Sequence, residues 1–325
     1  MSSSSGSDDE LFLSNFIVGD DNIGKYKLVR KLGSGAFGDI YLGVNINEVN
    51  DRVAVKLEGL CWPRQFLPYE TWVYKILRRF ETRGFPQLKW WGQDKERQFN
   101  ILVLELLGPS LEELFEYCCR KFSLKTVLML AEQLLQRIEC LHRSGFVHRD
   151  IKPENVLVGL NRNARQLYMI DLGLAKTYWD PKTQCHIPFR EDHNREGVTG
   201  TARYASLNAH RGMELSRRDD LETIGHVLVY FLKGSLPWMG IKGQTKKQKY
   251  KKIREIKEKT LIGNLCEGLP PEFATYFYYC RGLRFEDIPN YSFLRQLFRK
   301  VFKMQGYQLD YQFDWMRDKR RRIRK

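Results

Sequence analysis

The sequence has no C-x-x-C pair, no long apolar run near its start and no internal repeat, and it is short of acid. Each absence excludes something. Seven cysteines are an odd number, and the adjacent Cys118 and Cys119 are poor disulfide partners. A disulfide-stapled scaffold is therefore excluded and a reducing compartment is expected. The stretch LFLSNFIV (11–18) is too short to span a bilayer. It follows acidic SDDE rather than a basic segment, so it does not read as a signal peptide either. A soluble intracellular chain with no membrane partner is expected. Without repeats the chain is not a solenoid. Asp and Glu number 39 against 54 Lys and Arg, a net charge of +15. That balance favours acidic partners but does not choose between nucleic acid, phosphoprotein and acidic peptide. Two segments concentrate the charge: TKKQKYKK (245–252) and the tail RDKRRRIRK (317–325). A solvated basic face accounts for either, and the tail also reads as a nuclear-import or polyanion-binding arm.

What is present is ample material for a core. The 325 residues are 42% hydrophobic and 13% aromatic, enough for two packed lobes. MSSSSGSDDE (1–10) is low-complexity, and residues 1–25 are expected to be a disordered extension. From about residue 26, YKLVRKLG, DIYLGVNI and RVAVKLEG alternate with period two, which predicts a meander of antiparallel strands. A helix around 69–80 and a strand over 98–108 complete a small lobe, 26–108. Beyond it the pattern turns helical. SLKTVLMLAEQLLQRIECLHRSG (123–145) has Ser123 as N-cap and Gly145 past its end. DLETIGHVLVYFLKG (220–234) is apolar nearly all round and reads as a buried helix, and 290–306 is amphipathic. The expected fold is α+β: a small antiparallel-sheet lobe with one main helix, a helical lobe over 109–310, and a basic tail, 311–325.

The chemistry lies in a series of short motifs. GSGAFG (33–38) is a weak signal alone, but the β-patterned DIYLGV after it rules out a Rossmann turn and leaves a glycine hairpin. Such a hairpin can lay backbone N–H groups over phosphates. Lys56 ends the strand VAVK, and Glu70 on the next helix offers it an opposite charge, a pair suited to gripping polyphosphate oxygens. HRDIKPEN (148–155) reads as a rigid loop. There Asp150 can accept a proton from an attacking hydroxyl, Lys152 can offset phosphoryl charge and Asn155 can hold a metal. Asp171 interrupts the apolar run LYMIDLGLA (167–175), where an unpaired carboxylate is costly. As a second oxygen ligand to Mg²⁺ on a nucleotide its position makes sense; as a strand-end cap it would not need the rest.

Together these motifs resemble the eukaryotic protein kinases. Within them the chain is similar to the casein kinase I family over nearly all of 26–315. The narrower likeness rests on LLGPSLEELF (106–115), KFSLKTVL (121–128), HIPFRE (186–191), TGTARYASLNAH (199–210), SRRDDLE (216–222), GSLPW (234–238), EFATYFYYCRGLRF (272–285) and YSFLRQLF (291–298). The resemblance implies a bilobal kinase fold and phosphorylation of Ser/Thr with ATP and Mg²⁺, Asp150, Lys152 and Asn155 being catalytic and Asn155 and Asp171 holding metal. It implies an ATP site of Leu32, Gly33, Ser34, Gly35, Ala36, Phe37, Gly38, Asp39, Ile40, Ala54, Lys56, Glu70, Leu104, Glu105 and Leu107, with Leu104 gating the adenine pocket and Leu107 at the hinge. It also implies an anion site at Arg203, Gly240 and Lys249 that accepts a phosphate already on an acidic or phosphorylated protein substrate. DLG replaces D-F-G at 171–173 and ASLN replaces A-P-E at 205–208, while the activation segment through EDHNREGVTGT (191–201) is a few residues longer than is typical. The expected protein is a monomer of the cytoplasm or nucleus. Two rival readings are a kinase-fold scaffold with little or no activity and a nucleic-acid binder acting through the basic segments.

Overall fold

The computed structural model describes residues 16–20, 24–35, 38–80, 83–190 and 197–316. They divide into two compact units, one running to Gly108 and taking in Ile170–Gly173, the other comprising Pro109–Met169 and the chain from Leu174.

Among the described residues the first unit is an antiparallel sheet with one helix. Its strands are β1 (Ile17–Asp20), β2 (Gly24–Gly35), β3 (Gly38–Asn45), β4 (Arg52–Gly59), β5 (Leu88–Asp94) and β6 (Phe99–Glu105), in the order β1-β2-β3-β4-β6-β5. Strand β4 shows how period two sorts its residues. Val53, Val55 and Leu57 enter the core with Tyr26, Leu28, Ile101 and Val103, which turns Ala54, Lys56 and Glu58 to the other face. Helix α1 (Leu67–Arg79) carries Pro68 in its first turn, where a missing N–H costs nothing. Its first turn is held by the buried Glu58, whose carboxylate accepts the N–H groups of Phe66 at 2.7 Å and Leu67 at 3.1 Å. The strand that carries Lys56 thus fixes the start of the helix that carries Glu70.

The second unit is mainly helical: α2 (Leu111–Tyr117), α3 (Leu124–Arg143), α4 (Leu207–His210), α5 (Arg217–Lys233), α6 (Lys246–Lys259), α7 (Ile262–Leu265), α8 (Pro271–Gly282) and α9 (Tyr291–Met304). Ser123 caps α3 by accepting the Thr126 N–H, as its sequence pattern predicts. Helix α5 is buried throughout Asp219–Phe231. Gly225 lets α8 approach it closely, since a Cβ there would lie 2.8 Å from the Phe277 ring. The helix stops at Gly234, in the left-handed region with φ +80°. Short strands β7 (Phe146–Val147), β8 (Val156–Val158), β9 (Leu167–Met169) and β10 (Lys176–Thr177) bracket the loop that begins at His148.

Two expected boundaries need correction. Residues 17–20, placed in a disordered extension over 1–25, form β1, because Phe16 and Val18 are buried in the sheet's core and Trp90 Nε1 donates to Asp20 at 3.0 Å. Residues 311–316, assigned to the tail, belong to the helical unit. Phe313 is fully buried and stacks on Trp315, and Asp314 accepts the Ser123 N–H at 2.6 Å, closing the start of α3. The low-complexity stretch 1–10 and the basic run 317–325 lie outside the described residues. All seven cysteines are free thiols. Among the described residues no helix is long and apolar enough to cross a membrane.

Candidate active site

The predicted site residues fall into two sets, one in each unit. In the first, Lys56 Nζ lies 2.7 Å from Glu70 Oε2 and 3.0 Å from Asp171 Oδ1. Burial works against the ammonium's charge, but Glu70 and then Asp171 outweigh it and hold the Lys56 pKa above its ordinary range. Burial pushes the Glu70 carboxyl up while Lys56 pulls it back. Its other oxygen accepts the Leu172 N–H at 3.2 Å, which ties α1 to the DLG turn. Leu172 is fully buried, so leucine supplies the apolar packing expected of it. Asp171 itself has φ +62°, a left-handed conformation that is strained for a non-glycine residue and typical of functional turns.

The glycine segment is a hairpin: Gly33 pairs with Ile40, Ser34 with Asp39 and Gly35 with Gly38. Gly38 is required on steric grounds, with φ +125° and a Cβ that would sit 2.0 Å from the Leu57 carbonyl oxygen. At Gly33, by contrast, a Cβ would meet no atom of the described residues within 4 Å beyond its chain neighbours. Leu32 is exposed, and Asp39 is tied to Lys31 at 2.9 Å. Ala36 and Phe37 lie outside the described residues. Ala54 pairs with the buried Leu104 across β4 and β6, and Glu105 accepts the Gln87 N–H at 3.1 Å. Leu107, half-buried, follows the end of β6.

The second set surrounds Asp150. One carboxylate oxygen accepts from Thr201 Oγ1 at 2.8 Å, and the other from Lys152 Nζ at 3.0 Å. Asn155 Nδ2 donates to the Asp150 carbonyl at 3.0 Å. The loop itself is suspended from a residue far along the chain. Asp220, buried on α5, accepts the N–H groups of His148 at 2.7 Å and Arg149 at 2.8 Å, and a third bond from His142 Nε2 at 2.9 Å. Those donors hold its carboxyl below the usual range against the effect of burial. Arg149 takes φ +69°, and Gly200 passes so close that a Cβ would lie 2.3 Å from the Arg149 carbonyl oxygen. Neither Thr201 nor Asp220 was marked as functional by sequence reasoning. The signals available were a threonine inside TGT and an aspartate in an otherwise apolar helix.

Chemically, the first set offers a cation flanked by two carboxylates, and the second a buried carboxylate held by two side-chain donors. Asp171 in the first unit and Asn155 in the second each offer an oxygen of the kind a hard cation takes. Committing the Asn155 amide nitrogen to a carbonyl presents its oxygen as the remaining donor atom. Among the described residues no group of three or more His, Cys, Asp or Glu could hold a metal without further ligands. Magnesium takes one or two protein oxygens and completes its shell with phosphate and water.

Arg203, Gly240 and Lys249 also lie in the second unit. The Arg203 guanidinium rests over the Tyr204 and Tyr230 rings, 5.6 and 5.9 Å from their centroids. Its carbonyl accepts from Trp238 Nε1 at 2.7 Å, two residues before Gly240, which is exposed with φ +75°. Lys249 is exposed in the first turn of α6, where Gly243 packs against its backbone. The stretch 191–196 of the long activation segment lies outside the described residues.

A grip for polyphosphate and a held carboxylate that can take a hydroxyl proton are each parts that phosphoryl transfer requires. The sequence profile of the protein kinase domain matches residues 26–275, and the chain belongs to that family. Membership implies ATP as phosphoryl donor, a divalent metal, and proteins as acceptors.

Proposed function

We propose that the protein is a serine/threonine kinase of the casein kinase I type, which transfers the γ-phosphate of ATP to acidic or already phosphorylated proteins. The observation that carries this reading is the Asp150 carboxylate bonded to both Lys152 and Thr201. Lys152 follows the proton acceptor by two residues, the arrangement that fits a Ser/Thr hydroxyl as nucleophile. In this reading the glycine hairpin, Lys56 and Glu70 orient the phosphates of ATP, and Ala54, Leu104 and Leu107 receive the base. Asp150 accepts the hydroxyl proton, while Lys152 offsets charge on the moving phosphoryl group. Magnesium, when bound through Asp171 and Asn155, would neutralise phosphate oxygens. Arg203, Lys249 and the backbone at Gly240 would hold a phosphate already on the substrate, N-terminal to the acceptor. We place the protein in the cytoplasm or nucleus as a monomer.

A kinase-fold scaffold without activity is disfavoured, because Lys56, Glu70, Asp150, Asn155 and Asp171 are all present and Lys56, Glu70 and Asp171 are already bonded to one another. The test uses matched peptides that differ only in the acceptor, with purified protein, ATP and magnesium. Transfer to Ser and Thr but not Tyr is expected. Equal transfer to Tyr would overturn the specificity, and no transfer to any acceptor would restore the scaffold reading.

A further inference from the structure

The turn that follows Thr201 is built in an unusual way. Residues 202–205 lie in no helix or strand, and Ala202, Tyr204 and Ala205 are buried, so their carbonyls need partners from elsewhere. All four are met by side chains. His210 Nε2 donates to the Ala202 carbonyl at 2.9 Å, and Trp238 Nε1 to that of Arg203 at 2.7 Å. His226 Nδ1 donates to Tyr204 at 2.8 Å, and Lys257 Nζ to Ala205 at 2.6 Å. The donors come from α4, the loop after α5, α5 itself and α6, and all four side chains are buried. They also support one another: Lys257 Nζ, whose pKa burial pushes down to about 7, sits 4.6 Å from the Trp238 ring centroid, and the His226 ring meets that indole edge-on at 5.1 Å.

Both imidazoles are neutral. Burial, then Lys257, pushes the His226 pKa well below its ordinary value and that of His210 down to about 4. A neutral imidazole has one N–H, and in each case the carbonyl claims it. The other nitrogen, Nδ1 of His210 and Nε2 of His226, has no hydrogen-bond partner among the described residues. Glu222 Oε1 is 3.8 Å from His226 Nε2, too far for a hydrogen bond. With the second nitrogen unpaired, the carbonyl contact is the side-chain hydrogen bond that orients each ring.

We infer that His210, Trp238, His226 and Lys257 are positioning residues that fix the backbone of 202–205 and thereby present Arg203 to the substrate. The inference rests on the proposed reading of Arg203 as a substrate contact. It adds that substrate affinity depends on four buried donors that touch no substrate. Arg203 is held at both ends, its carbonyl by the indole and its guanidinium over two tyrosine rings, so losing the indole N–H frees the end that sets its direction.

The test exploits the difference between the two histidines. Asparagine can place an amide N–H near the Nδ1 position and glutamine near the Nε2 position, so His226→Asn and His210→Gln keep each donor. His226→Phe and Trp238→Phe keep a ring and remove it. With a peptide carrying phosphoserine three residues before the acceptor serine, the donor-removing variants should raise the peptide KM about tenfold while kcat and the ATP KM change less than about threefold. His226→Asn and His210→Gln should stay within about threefold of the parent in all three. Amide hydrogen exchange should speed up at 202–206 in the Phe variants, with α3 unchanged. That second readout applies even if one variant is weakly active. Equal losses with Asn and Phe at 226, or Phe variants with parental peptide KM and parental exchange, would overturn the inference. If the parent phosphorylates Ser peptides but the variants show no such split, this inference alone fails. A parent with no peptide transfer sinks the proposed function as well.

Discussion

The two units organise their polar residues by different means. In the first, charge meets charge: Lys56, Glu70 and Asp171 neutralise one another in a protected setting. In the second, side chains hold backbone. Asp220 takes the N–H groups of His148 and Arg149, and four donors take the carbonyls of 202–205. The difference follows from the task. Gripping a polyphosphate needs a cation that stays charged and does not wander. Presenting a proton acceptor and a substrate strand requires a loop of fixed shape, and a loop has no ladder of its own to fix it.

The largest effect should come from removing charge where the loop is already held. Asp150→Asn preserves shape and leaves the Asp220 bonds intact, so the fold should survive while turnover falls at least about 100-fold. Steady-state kinetics on a Ser peptide, with the melting temperature as control, checks this. Turnover near that of the parent would mean that Asp150 is only a loop residue.

Motif reading named the groups that the proposed chemistry uses, and missed most of what holds them. Lys56, Glu70, Asp150, Lys152, Asn155 and Asp171 were legible because ionisable side chains in glycine-marked or loop contexts have few structural reasons to be there. The long helices were legible too; the one expected over 220–234 is observed over Arg217–Lys233. The carbonyls of 202–205 were not, since every residue has one and nothing in TARYAS says which will be buried. Their donors are spread from His210 to Lys257, and each alone reads as an ordinary core residue. Strand β1 was hidden for another reason. Its four residues IVGD follow an acidic low-complexity stretch, and only the burial of Phe16 and Val18 reveals their role.

Next in size is the first unit's response to losing one carboxylate. Asp171→Ala removes the proposed metal oxygen and one partner of Lys56, but leaves Glu70 to hold the ammonium. ATP affinity should fall about tenfold or more in magnesium and change little in its absence. Nucleotide titrations with and without the metal make the comparison. A magnesium response matching the parent would return Asp171 to a turn-capping role.

The smallest effect concerns pH and separates the two kinds of organisation. Unfolded His210 takes a proton near its ordinary value of 6.5, whereas folded His210, facing Lys257 and Arg254 with Glu258 opposing them, takes one only near about 4. In that window the unfolded chain binds more protons, so stability is present above pH 6.5 and is lost as pH falls. The loss from His210 alone should reach about 2 kcal/mol by pH 5. Asp219, pushed up to about 6 by burial, acts with the opposite sign, so the informative quantity is the difference between parent and His210→Gln. Urea midpoints at pH 7.5 and 5 should fall less in the variant. Identical falls would show that the ring does not carry the acid sensitivity.

The central claim, Ser/Thr transfer directed by a phosphate on the substrate, is tested most directly by comparing kcat/KM for phospho-Ser-x-x-Ser and its unphosphorylated counterpart, in the parent and in a variant with Arg203 and Lys249 both neutral. Charge-assisted hydrogen bonds of about 1.5–3 kcal/mol each predict a parental preference of at least tenfold for the primed peptide. That preference should vanish in the double variant, with activity on the unprimed acidic peptide kept within a few fold. A parent indifferent to the phosphate, or a variant that loses both activities equally, would contradict the account.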